Sequence, residues 1–183
     1  MISSTISRRY AKALLSIGQE DGQYEEYGHN LQEFVRFCST NEEFSRVISN
    51  QIFSAADRKK ILEIVLEKGS FSDVIKNFLR LLIDKNRIRA IKEIADYYSI
   101  LTDKVLNIAR ANIITARPLK NKALDKLEKA LVVLTSKKVK VDMKEDKSII
   151  GGLIVKIEDL VLDGSVRAQL ERLRVSLKRS EYN

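Results

Sequence analysis

The sequence predicts a mainly α protein, with an N-terminal six-helix bundle followed by a small α+β C-terminal domain. Apolar residues recur at spacings of three and four through residues 4–107, which is the period of helices that bury one face. β-branched runs and alternating apolar and charged residues begin only near residue 108. One Pro and seven Gly in 183 residues argue against a loop-rich β-barrel. We place the boundary between domains 1–104 and 105–183.

Six helices are predicted before the boundary. Thr40, Ser54 and Ser70 are each followed three positions later by an acidic residue, the spacing of a capping box, so each is predicted to begin a helix. Gly69 is predicted to end the fourth helix. The predicted helices cover about residues 4–21, 23–39, 40–48, 54–68, 71–85 and 87–107.

The second domain is predicted to mix strands and helices. Residues 109–116 and 139–143 are expected to be strands, the second because Val139, Val141 and Met143 alternate with charged residues. Two short strands, a helix and a final helix capped by Ser165 complete the domain. The two strands are expected at about residues 152–157 and 160–162, the first helix at about 121–136 and the final helix after residue 165.

The residue inventory excludes several kinds of chemistry. One His, His29, and one Cys, Cys38, cannot form an intrachain disulfide or a zinc site of Cys and His ligands, and we interpret both as structural or exposed. No Gly-rich phosphate loop and no G-x-S-x-G motif occurs, so we expect no cofactor and no metal, and no catalytic pair is marked by the sequence. A carboxylate-only enzyme remains open. Without a signal peptide or a long apolar run, the chain is expected to be soluble and intracellular.

Charge is distributed unevenly along the chain. Residues 1–104 hold 16 basic and 15 acidic residues, a net charge of +1, whereas residues 105–183 hold 17 and 10, a net charge of +7. A basic domain fits either nucleic acid or an acidic protein partner. Because Tyr182 is its sole aromatic residue, it lacks a stacking platform for single strands. A nucleic-acid-binding adaptor is therefore kept as the alternative function.

The first and fifth helices carry more apolar residues than one buried face requires. Ala11 and Leu15 flank the main stripe of the first helix, and the fifth runs from Phe71 to Ile83 with eight apolar positions. Such an excess indicates either central burial or a groove for a partner helix.

Seven segments of the chain match the pattern of a known family in order. They are Arg9–Leu14, Asn77–Leu82, Asn86–Arg87, Val139–Val141, Ile149–Gly152, Ile157–Asp159 and Asp163–Val166. Together they resemble the delta subunit of F-type ATP synthases, the family that includes the oligomycin-sensitivity-conferring protein of mitochondria. The resemblance covers essentially the whole chain. Glu145 and Lys147 depart from the family pattern, which usually has an apolar residue or Thr and a Pro at these positions.

The resemblance implies a non-catalytic stator subunit that links the catalytic alpha–beta head to the peripheral stalk on the cytoplasmic face of a bacterial cell membrane. Domain 1–104 would receive the N-terminal helix of an alpha subunit, and domain 105–183 would contact the C-terminal end of the b subunit, with beta subunits nearby. The membrane would be contacted only indirectly, through the complex. The expected groove residues are Tyr10, Ala13, Leu14, Asn77 and Leu81 from the family pattern, and Val74 from spacing.

Two further residue sets are singled out in the second domain. Electrostatic steering towards the b subunit is assigned to exposed cations, since charge acts mainly on association rate. These are Lys137, Lys138, Arg172, Lys178 and Arg179. Gly151, Gly152 and Gly164 are interpreted as structural turn residues. No helix start or Lys follows Gly151 and Gly152 at the spacing of a phosphate site, and Gly164 is expected to supply backbone freedom for the turn before Ser165.

Overall fold

The structure, a computed structural model, describes residues 5–119 and 121–180, without the side chains of residues 121–122 and 177–180. The chain divides into two units, Met1–Asp103 and Lys104–Asn183, one residue from the predicted boundary. Within the described residues the elements of the first unit are all helical, and those of the second are a four-stranded sheet, two α-helices and a 3-10 turn, Lys147–Ile149. The predicted fold class is confirmed.

Six α-helices form the first unit as far as the structure describes it, from residue 5 onwards. A single 3-10 turn, Ile88–Ala90, precedes the sixth helix, whose last turn crosses the unit boundary. The helices are α1 Thr5–Glu20, α2 Tyr24–Thr40, α3 Glu42–Ser49, α4 Ala55–Lys68, α5 Asp73–Asp84 and α6 Ile91–Val105. Their buried faces meet in one core, in which Tyr27, Phe34 and Tyr98 are the largest fully buried side chains.

The predicted starts of α3 and α5 were wrong, whereas the start of α4 is confirmed. Ser54 Oγ accepts a hydrogen bond from Asp57 N at 3.1 Å, as a capping box requires. Thr40 instead ends α2 and donates from Oγ1 to the carbonyl oxygen of Arg36, because the hydroxyl finds an acceptor within its own helix. The fifth helix starts at Asp73 rather than near residue 71, since Phe71 turns into the core with 7% exposure.

A buried arginine ties two helix ends together in the first unit. Arg58 of α4 is only 3% exposed, and its Nη2 donates to Asn86 Oδ1 just after α5 at 2.6 Å. Its Nη1 donates to the carbonyl oxygen of Ile48, in the last turn of α3, at 3.4 Å. A cation at the carboxyl ends of helices meets their unpaired carbonyls and the negative end of the helix dipole.

The second unit is built on one mixed sheet. Its strands are β1 Ile108–Thr115, β2 Lys138–Glu145, β3 Leu153–Ile157 and β4 Leu160–Asp163, in the order β2-β1-β3-β4. β1 runs parallel to β2, and the other neighbours are antiparallel. The helix between β1 and β2, α7 Asn121–Thr135, packs through Leu127 and Leu131 on one face, against Ala111 and Ile113 among others. The last helix is α8 Val166–Ser180.

Candidate functional site

An edge-to-face aromatic contact joins α1 to α5. The ring centroids of Tyr10 and Phe78 lie 6.2 Å apart with an interplanar angle of 71°, the geometry that aromatic quadrupoles favour. Phe78 is 8% exposed, whereas Tyr10 is half-buried. The contact therefore lies at the edge of the core and brings the outer faces of the two helices side by side.

Apolar side chains continue from this contact along both helices. On α1, Ala13 and Ile17 follow Tyr10 at the helical spacing of three and seven and are exposed, Ile17 by 45%. On α5, Val74 is half-buried and Leu81 is 42% exposed, seven residues further on. We call this set, with Asn77, the α1–α5 surface. Its members are Tyr10, Ala13, Ile17, Val74, Asn77 and Leu81.

Five of the six residues expected in the groove belong to this surface. Leu14 does not, because it is 1% exposed and packs in the core of the bundle, so it offers no side chain to a partner. The sequence interpretation missed Ile17, although its position seven residues after Tyr10 could have identified it. One stripe of each helix is in the core and the adjacent stripe is exposed, so central burial accounts for part of the apolar excess.

The polar member of the surface is held by an ion pair. Arg80 donates from Nε and Nη2 to the two carboxylate oxygens of Glu63 on α4, at 2.7 and 2.8 Å. From Nη1 it donates to Asn77 Oδ1 at 2.7 Å. These hydrogen bonds from Arg80 hold the pKa of Glu63 below its usual value, so the carboxylate stays ionised at neutral pH.

The sheet of the second unit has one covered and one open face. Residues paired across neighbouring strands project to the same side of the sheet, as do alternate residues of one strand. The face away from α7 is therefore formed by Arg110, by every second residue of β1 counted from it, and by their partners on the other strands. We call this the basic sheet face. It carries five exposed cations and, between them, the exposed side chains of Asn112, Asp142 and Asp163. The cations are Arg110, Lys138, Lys140, Lys144 and Lys156.

Of the three predicted steering residues whose side chains the structure describes, Lys138 lies on this face. Lys137 instead forms an ion pair with Glu158, and Arg172 donates from Nη2 to the carbonyl oxygen of Asp163 at 3.0 Å. The side chains of Lys178 and Arg179 lie outside the described residues. Strand register, which the sequence interpretation did not use, would have grouped the four missed cations.

Helix α8 exposes the apolar residues of its middle turns. From Gln169 to Ser176 every side chain is exposed, including Leu170 at 52% and Leu173 at 56%. With Val166 these residues have the spacing of four and three that forms a coiled-coil seam. An isolated helix of this length is marginal in water, so α8 is suited to packing against another helix.

The glycines lie at a close crossing of two backbone segments. Gly152 has φ of 77°, and a Cβ there would lie 2.3 Å from the carbonyl oxygen of Gly164. Val166 N donates to the carbonyl oxygen of Gly151 at 2.9 Å, which connects the start of α8 to this turn. Gly164 does not have a positive φ, so the prediction that it supplies backbone freedom for the turn was wrong. A Cβ at Gly164 would lie 3.3 Å from the carbonyl oxygen of Leu153, so this position is limited by close packing instead.

Residues 5–119 and 121–180 contain no cluster of three His, Cys, Asp or Glu side chains able to hold a metal ion. A cavity of about 350 Å³ beside α2 and α4 is lined mostly by apolar residues such as Phe37, Ile64 and Phe71. His29 is exposed, and burial raises the pKa of the Cys38 thiol to about 11, which disfavours the nucleophilic thiolate.

No helix in the described part of the chain combines the length and the hydrophobicity needed to cross a bilayer.

The chain is similar to known proteins over nearly its whole length. A family model described as "ATP synthase delta (OSCP) subunit" matches residues 6–177. A protein named "ATP synthase subunit delta" from Desulforapulum autotrophicum is 41% identical over 181 residues, 99% of each chain. Another of that name, from Desulfatibacillum aliphaticivorans, is 43% identical over 176 residues, 96% of each chain.

Solved structures show the same fold. A chain from the mitochondrial ATP synthase hexamer of Toxoplasma gondii superposes with a TM-score of 0.72 at 18% identity, covering 95% of this chain and 98% of that one. A chain of the Polytomella F-ATP synthase gives a TM-score of 0.50 at 22% identity, covering 56% and 89%. None of these comparisons supports the nucleic-acid-binding alternative.

Proposed function

Because the chain belongs to the ATP synthase delta (OSCP) subunit family, we propose a specific division of labour between its two units. The protein is a stator subunit of the F-type ATP synthase, where it couples rotation to ATP synthesis. Its first unit binds the N-terminal helix of an alpha subunit of the catalytic head, and its second unit binds the C-terminal part of the b-subunit stalk. It performs no catalysis itself, and beta subunits lie nearby.

The observation that carries the head contact is the α1–α5 surface. Two apolar stripes lie on either side of the Tyr10–Phe78 contact, and together they offer Ile17 and Leu81 to solvent. An amphipathic helix buries such a pair of stripes with its own apolar face. At roughly 25 cal/mol per Å² of apolar surface removed from water, this burial favours a stable contact.

Two features of the second unit support the stalk contact. The exposed Leu170 and Leu173 of α8 supply an apolar seam for a partner helix. The basic sheet face supplies long-range attraction for an acidic partner, which raises the association rate. The apolar seam acts mainly on the dissociation rate and the charged face mainly on the association rate, so their contributions can be measured separately.

The location follows from assembly rather than from an anchor in the described residues. A protein that joins the head to the stalk lies on the side of the membrane where the head lies. In a bacterium we therefore place it at the cytoplasmic face of the cell membrane, held there by its partner subunits.

Copurification tests the division of labour. A tagged full-length chain should recover alpha, beta and b subunits from detergent-solubilised membranes, whereas a tagged fragment of residues 1–104 should recover alpha and beta without b. The fragment should fold, because every residue of the first core lies within it. Recovery of b by the fragment, or loss of alpha and beta while circular dichroism shows it folded, would refute the proposal.

A further inference from the structure

The side-chain amide of Asn77 can present only one polarity to a partner. An arginine side chain carries five N–H donors and no acceptor. Since Arg80 Nη1 lies 2.7 Å from the Asn77 side chain, the amide oxygen must face Arg80. The Nδ2 group, with its two N–H donors, therefore faces away from Arg80.

The direction away from Arg80 is that of the α1–α5 surface. On a helix of 3.6 residues per turn, Asn77 lies between Leu81 on one side and Arg80 on the other. Asn77 is exposed, as is Leu81, so the Nδ2 donors lie at the edge of the apolar stripe of α5. A helix that covers this stripe would remove these donors from water.

Arg80 is oriented towards the amide by its contacts with Glu63. Its Nε and Nη2 groups are both committed to Glu63 on α4, so the guanidinium plane is fixed and Nη1 is aimed at Asn77. Charge-assisted hydrogen bonds of this kind are stronger than neutral ones. A rotation of the Asn77 amide would set its N–H groups against the N–H groups of Arg80.

We propose that the helix bound at the α1–α5 surface carries a hydrogen-bond acceptor opposite Asn77, and that Arg80 and Glu63 act as positioning residues that impose this requirement. The acceptor is a carboxylate, an amide oxygen or a hydroxyl on an otherwise apolar face. A partner that offers a donor or an apolar group there would leave buried N–H groups unsatisfied, which selects against it. This inference rests on the proposed head contact and specifies its chemistry.

The decisive variant changes polarity without changing shape. Asn77→Asp keeps an oxygen for Arg80 but replaces the Nδ2 donors by a second carboxylate oxygen. We expect it to bind a synthetic peptide of the first twenty or so residues of the cognate alpha subunit at least tenfold more weakly than the parent full-length chain. Asn77→Ala removes the amide without setting a second oxygen against the partner's acceptor, so it should lose less affinity than Asn77→Asp. Titration calorimetry measures all three affinities.

A double-mutant cycle tests the positioning role. Lysine has no planar fork, so Arg80→Lys cannot hold Glu63 at two points and Asn77 at a third. Arg80→Lys should weaken peptide binding several-fold in the parent and change it little in the Asn77→Ala background. Lys59→Gln is the matched control, because the 2.6 Å Lys59–Asp84 ion pair also joins α4 to α5 and is similarly exposed. It should leave affinity unchanged.

Nuclear magnetic resonance supplies a readout that a merely structural role would not move. The side-chain N–H resonances of Asn77 should shift when the peptide is added to the parent chain. The control substitution Lys59→Gln should leave the positions of these resonances unchanged. Absence of peptide binding by the parent would refute the head contact itself. If Asn77→Asp binds the peptide as tightly as the parent does, only the acceptor requirement is refuted. The same holds if Arg80→Lys weakens binding as much in the Asn77→Ala background as in the parent.

Discussion

Tyr10 and Phe78, separated by 68 positions in the chain, meet edge to face with ring centroids 6.2 Å apart, and this contact joins α1 to α5. Because Phe78 is buried while Tyr10 is half-buried, the contact marks the line at which the bundle core gives way to the α1–α5 surface. The predictions below concern this surface, the basic sheet face and the contacts that stabilise each unit.

Placing a charge on either stripe should weaken the head contact. Ile17→Asp and Leu81→Asp should each reduce affinity for the alpha peptide by about 2 kcal/mol or more, since a carboxylate would be buried against apolar groups. Both side chains are exposed, so folding should be preserved. Ile64→Asp is the control, because Ile64 is 56% exposed on α4, outside the surface. Equal affinities for all variants in calorimetry would remove the α1–α5 surface from the proposal.

Neutralising the basic sheet face should slow stalk binding. Four exposed lysines of this face change to Gln: Lys138, Lys140, Lys144 and Lys156. Association with purified b subunit should fall several-fold at low salt, with little change in dissociation, and physiological salt should erase most of the difference because it screens charge over about 8 Å. Surface plasmon resonance separates the two rates.

The matched control for the sheet face keeps the net charge equal. Four exposed lysines of the first unit, Lys60, Lys68, Lys85 and Lys92, change to Gln in the control chain. If the control slows association as much as the sheet variant, overall charge rather than this face does the steering.

Two glycines with similar backbone angles should respond differently to substitution. Gly152 and Gly22 have φ of 77° and 75°, but a Cβ at Gly22 meets nothing within 4 Å, whereas one at Gly152 meets the carbonyl oxygen of Gly164 at 2.3 Å. Gly22→Ala should cost about 1 kcal/mol of folding free energy, and Gly152→Ala clearly more. Urea unfolding measures both. Equal losses would show that the turn relaxes without cost.

The Glu63–Arg80 pair should make stability depend on acid pH. The hydrogen bonds from Arg80 lower the pKa of Glu63 in the folded state, so the pair stabilises the fold above the unfolded pKa of about 4.3. This contribution is lost as the pH falls through the lower folded pKa. Because both side chains are about one-third exposed, with side-chain values of 36% and 35%, the loss should not exceed about 1 kcal/mol.

Urea unfolding between pH 3 and pH 7 checks this dependence. The parent should exceed Glu63→Gln in unfolding free energy at neutral pH, and the two should converge in acid. A difference that is constant across the range would mean that Glu63 stabilises the protein by packing alone.

The order and type of the helices and strands followed from the sequence, because the periods of 3.6 and two residues are local properties of the chain. The Ser54 cap and the basic character of the second unit were also readable, since capping and charge depend on near neighbours or on composition. The resemblance of ordered motifs correctly gave the family.

Which side chain faces solvent was decided by tertiary packing. Leu14 and Ile17 lie on one apolar stripe in sequence, yet the first is 1% exposed and the second 45%, because only the neighbouring helices determine where the core ends. Asn30 of α2 accepts a hydrogen bond from Ser72 N across 42 positions, a contact no local pattern predicts. Likewise, the lysines of β2 meet Arg110 of β1 and Lys156 of β3 on one face only through strand register, which side-chain periodicity within single strands does not specify.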